Sequence, residues 1–125
     1  DVSARDCQLR LDSQWARGKS FDTFAPLGPT IETELEDPDD VGIMTRLNGK
    51  VMQDSNTNDL IFSCRELIAY LSDNMTLLPG TVIMTGTPSG VGFARKPPVF
   101  LRPGDVVEVE VEDIGVLRHS VIEEA

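Results

Sequence analysis

Apolar and polar positions alternate in several short runs of this chain, and one stretch carries helical spacing instead. Ile31, Thr33 and Leu35 alternate with Glu32, Glu34 and Glu36, the period-2 pattern of a strand with one wet face. Ile43 to Arg46 and Val51 to Gln53 flank Leu47-Asn48-Gly49-Lys50, and an Asn-Gly pair takes the positive φ values that a tight hairpin turn needs. Thr81 to Thr85 predicts a short apolar strand. It runs into Gly86-Thr87-Pro88-Ser89-Gly90-Val91-Gly92, a loop whose glycines let backbone amides approach a ligand or another strand. Val107, Val109 and Val111 alternate with Glu108, Glu110 and Glu112 ahead of Asp113-Ile114-Gly115. That pattern predicts a second hairpin, continuing through Val116 to Ile122.

The helical stretch begins at Ser63-x-x-Glu66, the signature of a capping box, and sets Cys64, Leu67, Ile68 and Leu71 on one face. The spacing predicts a helix over 64–73. Asp37-Pro38-Asp39-Asp40 is the charge-dense turn and reads as a loop; no internal repeat is visible. Several strands, one helix and no β-α-β alternation predict a single, mostly β domain over 1–125 with largely antiparallel pairing.

Composition agrees with a folded chain. Hydrophobic residues make up 40% and charged residues 26% of the sequence, close to the averages of globular proteins. At 125 residues one modest core is expected, with roughly 65–70% of the unfolded chain's surface removed from water. The formal net charge is −10, so the mean field repels phosphate backbones and anionic lipid; neither nucleic acid nor membrane is an expected partner. No apolar stretch is long enough for a membrane span. The opening Asp1-Val2-Ser3-Ala4-Arg5-Asp6 has neither an initiating Met nor the plan of a signal peptide, so translation is expected to start elsewhere. Cys7 and Cys64 lie far apart without C-x-x-C spacing. They read as ordinary thiols in a reducing compartment, the cytoplasm first, with the mitochondrion as the alternative.

Several motifs fail on inspection. Arg17-Gly18-Lys19-Ser20 ends like a phosphate-binding loop, but Ser13 stands where the first glycine is required. Gly86, Gly90 and Gly92 do not fit G-x-G-x-x-G. His119 is the only histidine and falls in the last hairpin, where it reads as a surface or sheet-face residue; with no G-x-S-x-G elbow, a Ser/His/Asp hydrolase within this chain is not supported. The Glu-x-Glu pairs at 32/34, 34/36, 108/110 and 110/112 share strand faces, as a hard-metal site would need. Each has an apolar opposite face to be buried, so these carboxylates are expected to meet water. Asp1, Arg5, Asp6, Gln8 and Lys19 form a polar cluster ahead of Phe21, Phe24 and Leu27, which composition alone reads equally as loop or site. A lysine beside a metal-bound carboxylate there would stabilise developing enolate charge.

Taken in order, these segments resemble the fumarylacetoacetate hydrolase family, in particular its acylpyruvate-hydrolase-like branch. The resemblance rests on Asp1 to Gln8, Gly18 to Pro29, Asn48-Gly49, Gln53-Asp54-Ser55-Asn56-Thr57, Thr85 to Gly92 and Pro103-Gly104-Asp105. It implies a mixed β-roll or distorted β-sandwich with one or two short helices. It also implies a homodimer, and magnesium, manganese or calcium as cofactor. By resemblance Asp1 supplies one metal oxygen, Lys19 is the catalytic lysine, Gln8 contacts substrate and the Thr87 hydroxyl meets a substrate carboxylate. Arg5 and Thr23 match positions that support substrate binding.

The implied chemistry is the chelation of a small 1,3-dicarbonyl or α-keto acid, with enolate charge gathered on a Lewis acid. Members of the family hydrolyse a carbon–carbon bond, decarboxylate oxaloacetate or isomerise hydroxydienedioates. The family's own Glu-x-Glu metal pair and lid histidine precede the motif that contains Asp1, so the chain is expected to be the C-terminal part of such a domain, incomplete as a site by itself. The alternative expectation is a non-catalytic binding or dimerisation module on the same fold.

Overall fold

The computed structural model describes residues 1–11 and 13–123. Its centre is a four-stranded antiparallel sheet in the order β2-β1-β3-β4, built from β1 (Gly42–Leu47), β2 (Lys50–Asn56), β3 (Val106–Val111) and β4 (Gly115–Ser120). Asn48 and Gly49 both take positive φ, 51° and 78°, and close β1 onto β2 as a two-residue turn whose twist matches that of the strands. Asn48 also donates from Nδ2 to Asp105 and accepts from the Val106 N–H, each at 2.8 Å, so the same turn fixes the start of β3. Asp113, at φ 62°, turns β3 into β4. Both predicted hairpins are therefore present.

Register decides what each face carries. Ile43, Thr45 and Leu47 stand opposite Val111, Val109 and Val107, and Val109 and Val107 stand opposite Leu117 and His119; this is the apolar face. The other face holds the charges. Glu110 pairs with Arg46 at 2.6 Å, Glu108 with Arg118 at 3.3 Å, and Glu112 accepts the Gly42 N–H at 2.8 Å. The downstream Glu-x-Glu carboxylates thus serve cross-strand pairing. His119 lies on the half-buried apolar face, with its Nδ1 buried and lacking a hydrogen-bond partner among the described residues.

A β-bulge interrupts β2. Thr45 faces Gln53 while Arg46 faces Val51, so Met52 is the extra residue. Because β2 is an edge strand, the bulge leaves the Met52 carbonyl open to a partner from outside the sheet.

Helix α1 spans Cys64–Ser72 and carries the predicted capping box, with Ser63 and Glu66 satisfying each other's backbone N–H groups. Asp39 accepts the Cys64 N–H at 2.8 Å, which ties the Asp37–Asp40 loop to the helix start. The same carboxylate pushes the Cys64 thiol up from its ordinary range, keeping it in the unreactive protonated form.

Three expectations are corrected. Residues 31–36 and 81–85 form no strand; alternation in the first and an apolar run in the second say what a strand would bury, but neither segment pairs with a strand edge, and Ile31 is 92% exposed. The expected core is also missing. Among the described residues only Cys7 and Val41 are buried hydrophobics. The chain exposes 9607 Å², so only about half of the surface expected of an unfolded chain of this size is removed.

Candidate functional site

The first residues fold back on themselves. Cys7–Leu11 forms a turn of π-helix and Trp15–Lys19 a 3-10 turn. What lets the two pack is Gly18, which is buried and whose carbonyl accepts the Ala4 N–H at 2.9 Å. A Cβ at this position would sit 3.0 Å from both the Ala4 oxygen and the Gln8 Cβ. That approach carries Lys19 Nζ to 2.8 Å from Asp1 Oδ2. On the same knot Arg5 Nη1 donates to Gln8 Oε1 at 2.5 Å, and Gln8 is 3% exposed. Burial first, and the Arg5 charge second, lower the Lys19 pKa from its ordinary value. Arg5 and Lys19 set two like charges near one another, a place suited to an anion, because a bound carboxylate would relieve the repulsion that Lys19 feels.

Thr23 lies on the adjoining turn, at φ 67°. There the Phe24 N–H donates to the Phe21 oxygen at 3.2 Å, and the Val2 N–H donates to the Phe24 oxygen at 2.9 Å. Thr23 therefore flanks the cluster through backbone pairing. Thr87 belongs to the glycine-rich loop, and its Oγ1 accepts from Gln53 Nε2 at 2.7 Å.

The loop reaches the cluster at its far end, where the Arg5 guanidinium lies 5.2 Å from the centroid of the Phe93 ring, within the range of a cation–π contact. Arg95 fixes the loop's path by donating from Nε to the Gly90 oxygen at 3.1 Å and from Nη2 to the bulged Met52 carbonyl. Gly90, at φ +102°, presses so closely on the Met52 oxygen that a side chain would collide with it. Asp1, Arg5, Gln8 and Lys19 thus form one cluster, Thr23 borders it, and Thr87 is joined to it through the loop that ends at Phe93.

Gly18, Gln53, Phe93 and Arg95 had no predicted role. Gln53 lay within a quoted motif, but nothing in the linear pattern distinguished Phe93 or Arg95.

As a metal site the donor set falls short. Asp1 offers one carboxylate, already paired to Lys19, and among the described residues no group of three His, Cys, Asp or Glu side chains is placed to hold an ion. A hard divalent cation takes six or more oxygens. These residues alone do not fit the expected magnesium centre. No helix among the described residues is long and apolar enough to cross a membrane.

Comparison with known proteins identifies the family of the chain. The family described as "Fumarylacetoacetate (FAA) hydrolase C-terminal" matches residues 1–122. The mitochondrial oxaloacetate tautomerase Fahd2a of Rattus norvegicus is 51% identical over 124 residues, covering 98% of this chain and 40% of that protein. The crystal structure of 5-carboxymethyl-2-hydroxymuconate delta-isomerase from Mycobacterium smegmatis superposes with a TM-score of 0.87 at 48% identity, covering 98% of this chain and 45% of that one. Fumarylacetoacetate hydrolase from Exiguobacterium antarcticum gives a TM-score of 0.92 at 44% identity, covering 98% and 44%. The chain therefore spans less than half the length of these relatives, and by sequence and fold alike it belongs to the fumarylacetoacetate hydrolase family, as its C-terminal part.

Proposed function

We propose that this chain supplies the anion-binding and enolate-stabilising half of an enzyme that interconverts the keto and enol forms of a small α-keto dicarboxylate, with oxaloacetate as the first substrate to test. The observation that carries the reading is the Asp1–Lys19 pair at 2.8 Å, set beside Arg5 and the buried Gln8. When a base, water in the simplest case, takes a proton from the carbon next to a ketone, the C–H electron pair becomes the carbon–carbon double bond and negative charge stays on the ketone oxygen until that oxygen takes up a proton. Lys19 meets that charge as an ammonium group already oriented by Asp1, so little reorganisation is needed as charge develops. Arg5 and Thr87 take the substrate carboxylates, Gln8 offers its amide, and Thr23 borders the entrance.

Relatives carry the names of a tautomerase, an isomerase and a hydrolase, reactions that an enolate next to a ketone can each serve. Carbon–carbon hydrolysis of an acylpyruvate and decarboxylation of oxaloacetate are thus further outcomes of one charge-stabilising site. A divalent-cation requirement, magnesium first, is a separate part of the proposal: Asp1 would give one oxygen and the remaining ligands come from other residues. Homodimerisation belongs to it as well. The compartment is a reducing one, cytoplasmic or mitochondrial; the relatives from Rattus norvegicus and Homo sapiens carry mitochondrial names.

The test is an ultraviolet assay of oxaloacetate enol–keto conversion by the full-length protein, with and without magnesium, and with Lys19→Met. Loss of the oriented cation should lower kcat by roughly 10²–10³-fold. Acylpyruvate cleavage without tautomerisation would move the reading to hydrolysis. Inactivity on either substrate with metal present would favour the binding module.

A further inference from the structure

We propose that Gln53 is a positioning residue that holds the Thr87 hydroxyl proton away from itself and so keeps it available for donation to a substrate carboxylate. The inference rests on the reading of Thr87 as the carboxylate contact.

Gln53 Nε2 lies 2.7 Å from Thr87 Oγ1 and 2.9 Å from the Pro88 carbonyl oxygen. The second contact decides which end of the amide faces the loop. A carbonyl oxygen only accepts, so the group facing Pro88 has to be the NH₂. Both of its hydrogens are then committed, one to Pro88 and one to Thr87.

A threonine hydroxyl has two lone pairs and one hydrogen. With Gln53 filling one lone pair, the Thr87 hydrogen and its second lone pair are both directed away from Gln53. A carboxylate, which can only accept, then takes that hydrogen without competition from Gln53. The contact therefore keeps the Thr87 proton available to an anion.

The surroundings hold this arrangement in place. Gln53 follows the Met52 bulge on β2, and Arg95 binds the loop back onto the same bulge through the Gly90 and Met52 carbonyls. The loop is thus held at the strand edge at Thr87–Pro88 and again at Gly90.

The experiment is steady-state kinetics of the full-length protein on oxaloacetate, for Gln53→Glu and Gln53→Met in wild-type and Thr87→Val backgrounds. Glutamate keeps the shape of glutamine but accepts where it donated, so it draws the Thr87 proton onto itself. Gln53→Glu should raise KM about 10-fold or more, the worth of a hydrogen bond to a charged group, with kcat changed less. Gln53→Met, which loosens the contact without reversing it, should raise KM less.

Repulsion by the new glutamate charge would act equally in both backgrounds, whereas loss of the Thr87 donor acts only where Thr87 remains. The cycle should therefore show coupling of about 5-fold or more between the two positions. Additive effects, or equal effects of Gln53→Glu and Gln53→Met, would overturn the role of Gln53 and leave Thr87 standing. An unchanged KM for Thr87→Val alone would instead remove the carboxylate reading of Thr87 itself.

Discussion

Residue 18 shows how a site can depend on the absence of an atom. Lys19 and Asp1 lie 18 residues apart in sequence, and what closes that gap is the contact of the Gly18 backbone with Ala4 and Gln8. Adding a methyl group at position 18 would press on Ala4 oxygen and Gln8 Cβ at 3.0 Å, and two of the three nearest atoms are backbone, which yields poorly. Gly18→Ala should therefore push the 3-10 turn outward and lengthen the Asp1–Lys19 contact, at an overpacking cost of about 1–3 kcal/mol. A catalytic group displaced by an ångström loses about 10²-fold in rate. The expected result is a large fall in kcat in the oxaloacetate assay, with the thermal midpoint lowered by only a few degrees. An unchanged kcat would mean that the cluster does not depend on this packing. Gly18 stood in the sequence as part of a failed phosphate-loop match, and only the fold shows that its neighbours are residues 4 and 8.

At the scale of elements, the acid side of the pH range tests what holds α1. Hydrogen bonds from Ser63 lower the Glu66 pKa, and the Cys64 backbone N–H, followed by its thiol, lowers that of Asp39. Both carboxylates favour the charged form when folded, so the unfolded chain binds more protons as pH falls. Their contribution is thus fully present above the unfolded pKa values and is lost as pH falls through the lower folded ones. Helical circular dichroism should fade below about pH 4, where free carboxylates take up protons, and Ser63→Ala should cost about 1 kcal/mol at neutral pH through loss of the cap. A helix signal that is flat from neutral pH to pH 2 would contradict the assignment of these groups. This helix was legible because its signals are local: a cap, its partner three residues on, and one apolar face. The Asn48-Gly49 and Asp113–Gly115 turns were legible for the same reason. Segments 31–36 and 81–85 misled because alternation in the first and an apolar run in the second tell which residues a strand would bury and nothing about which edge it would join. The Met52 bulge and its capture by Arg95 were invisible for a related reason, since a bulge exists only relative to a partner strand.

For the whole molecule the decisive quantity is surface. A self-contained protein of 125 residues exposes about 6,600 Å² by the usual scaling, whereas this chain exposes 9607 Å². The excess, about 3,000 Å² on one partner, exceeds the roughly 800 Å² per partner of a standard interface and falls in the range of obligate association. Its character matches: Ile31, Ile61, Leu27, Leu78, Tyr70 and Ile122 are each more than 65% exposed. The net charge of −10 opposes self-association only weakly at physiological salt, where charges beyond about 8 Å are screened, while apolar burial gains about 25 cal/mol for each Å². Hence the 125-residue chain, prepared alone, should bind 1-anilinonaphthalene-8-sulfonate strongly and sediment as species larger than a monomer at micromolar concentration, more so at high salt. A compact monomer with weak dye binding would mean that the open apolar face of the sheet closes on itself in solution. The first outcome makes the stability of this fold inseparable from what covers this surface, because about 25 cal/mol is gained for each Å² of apolar area removed from water.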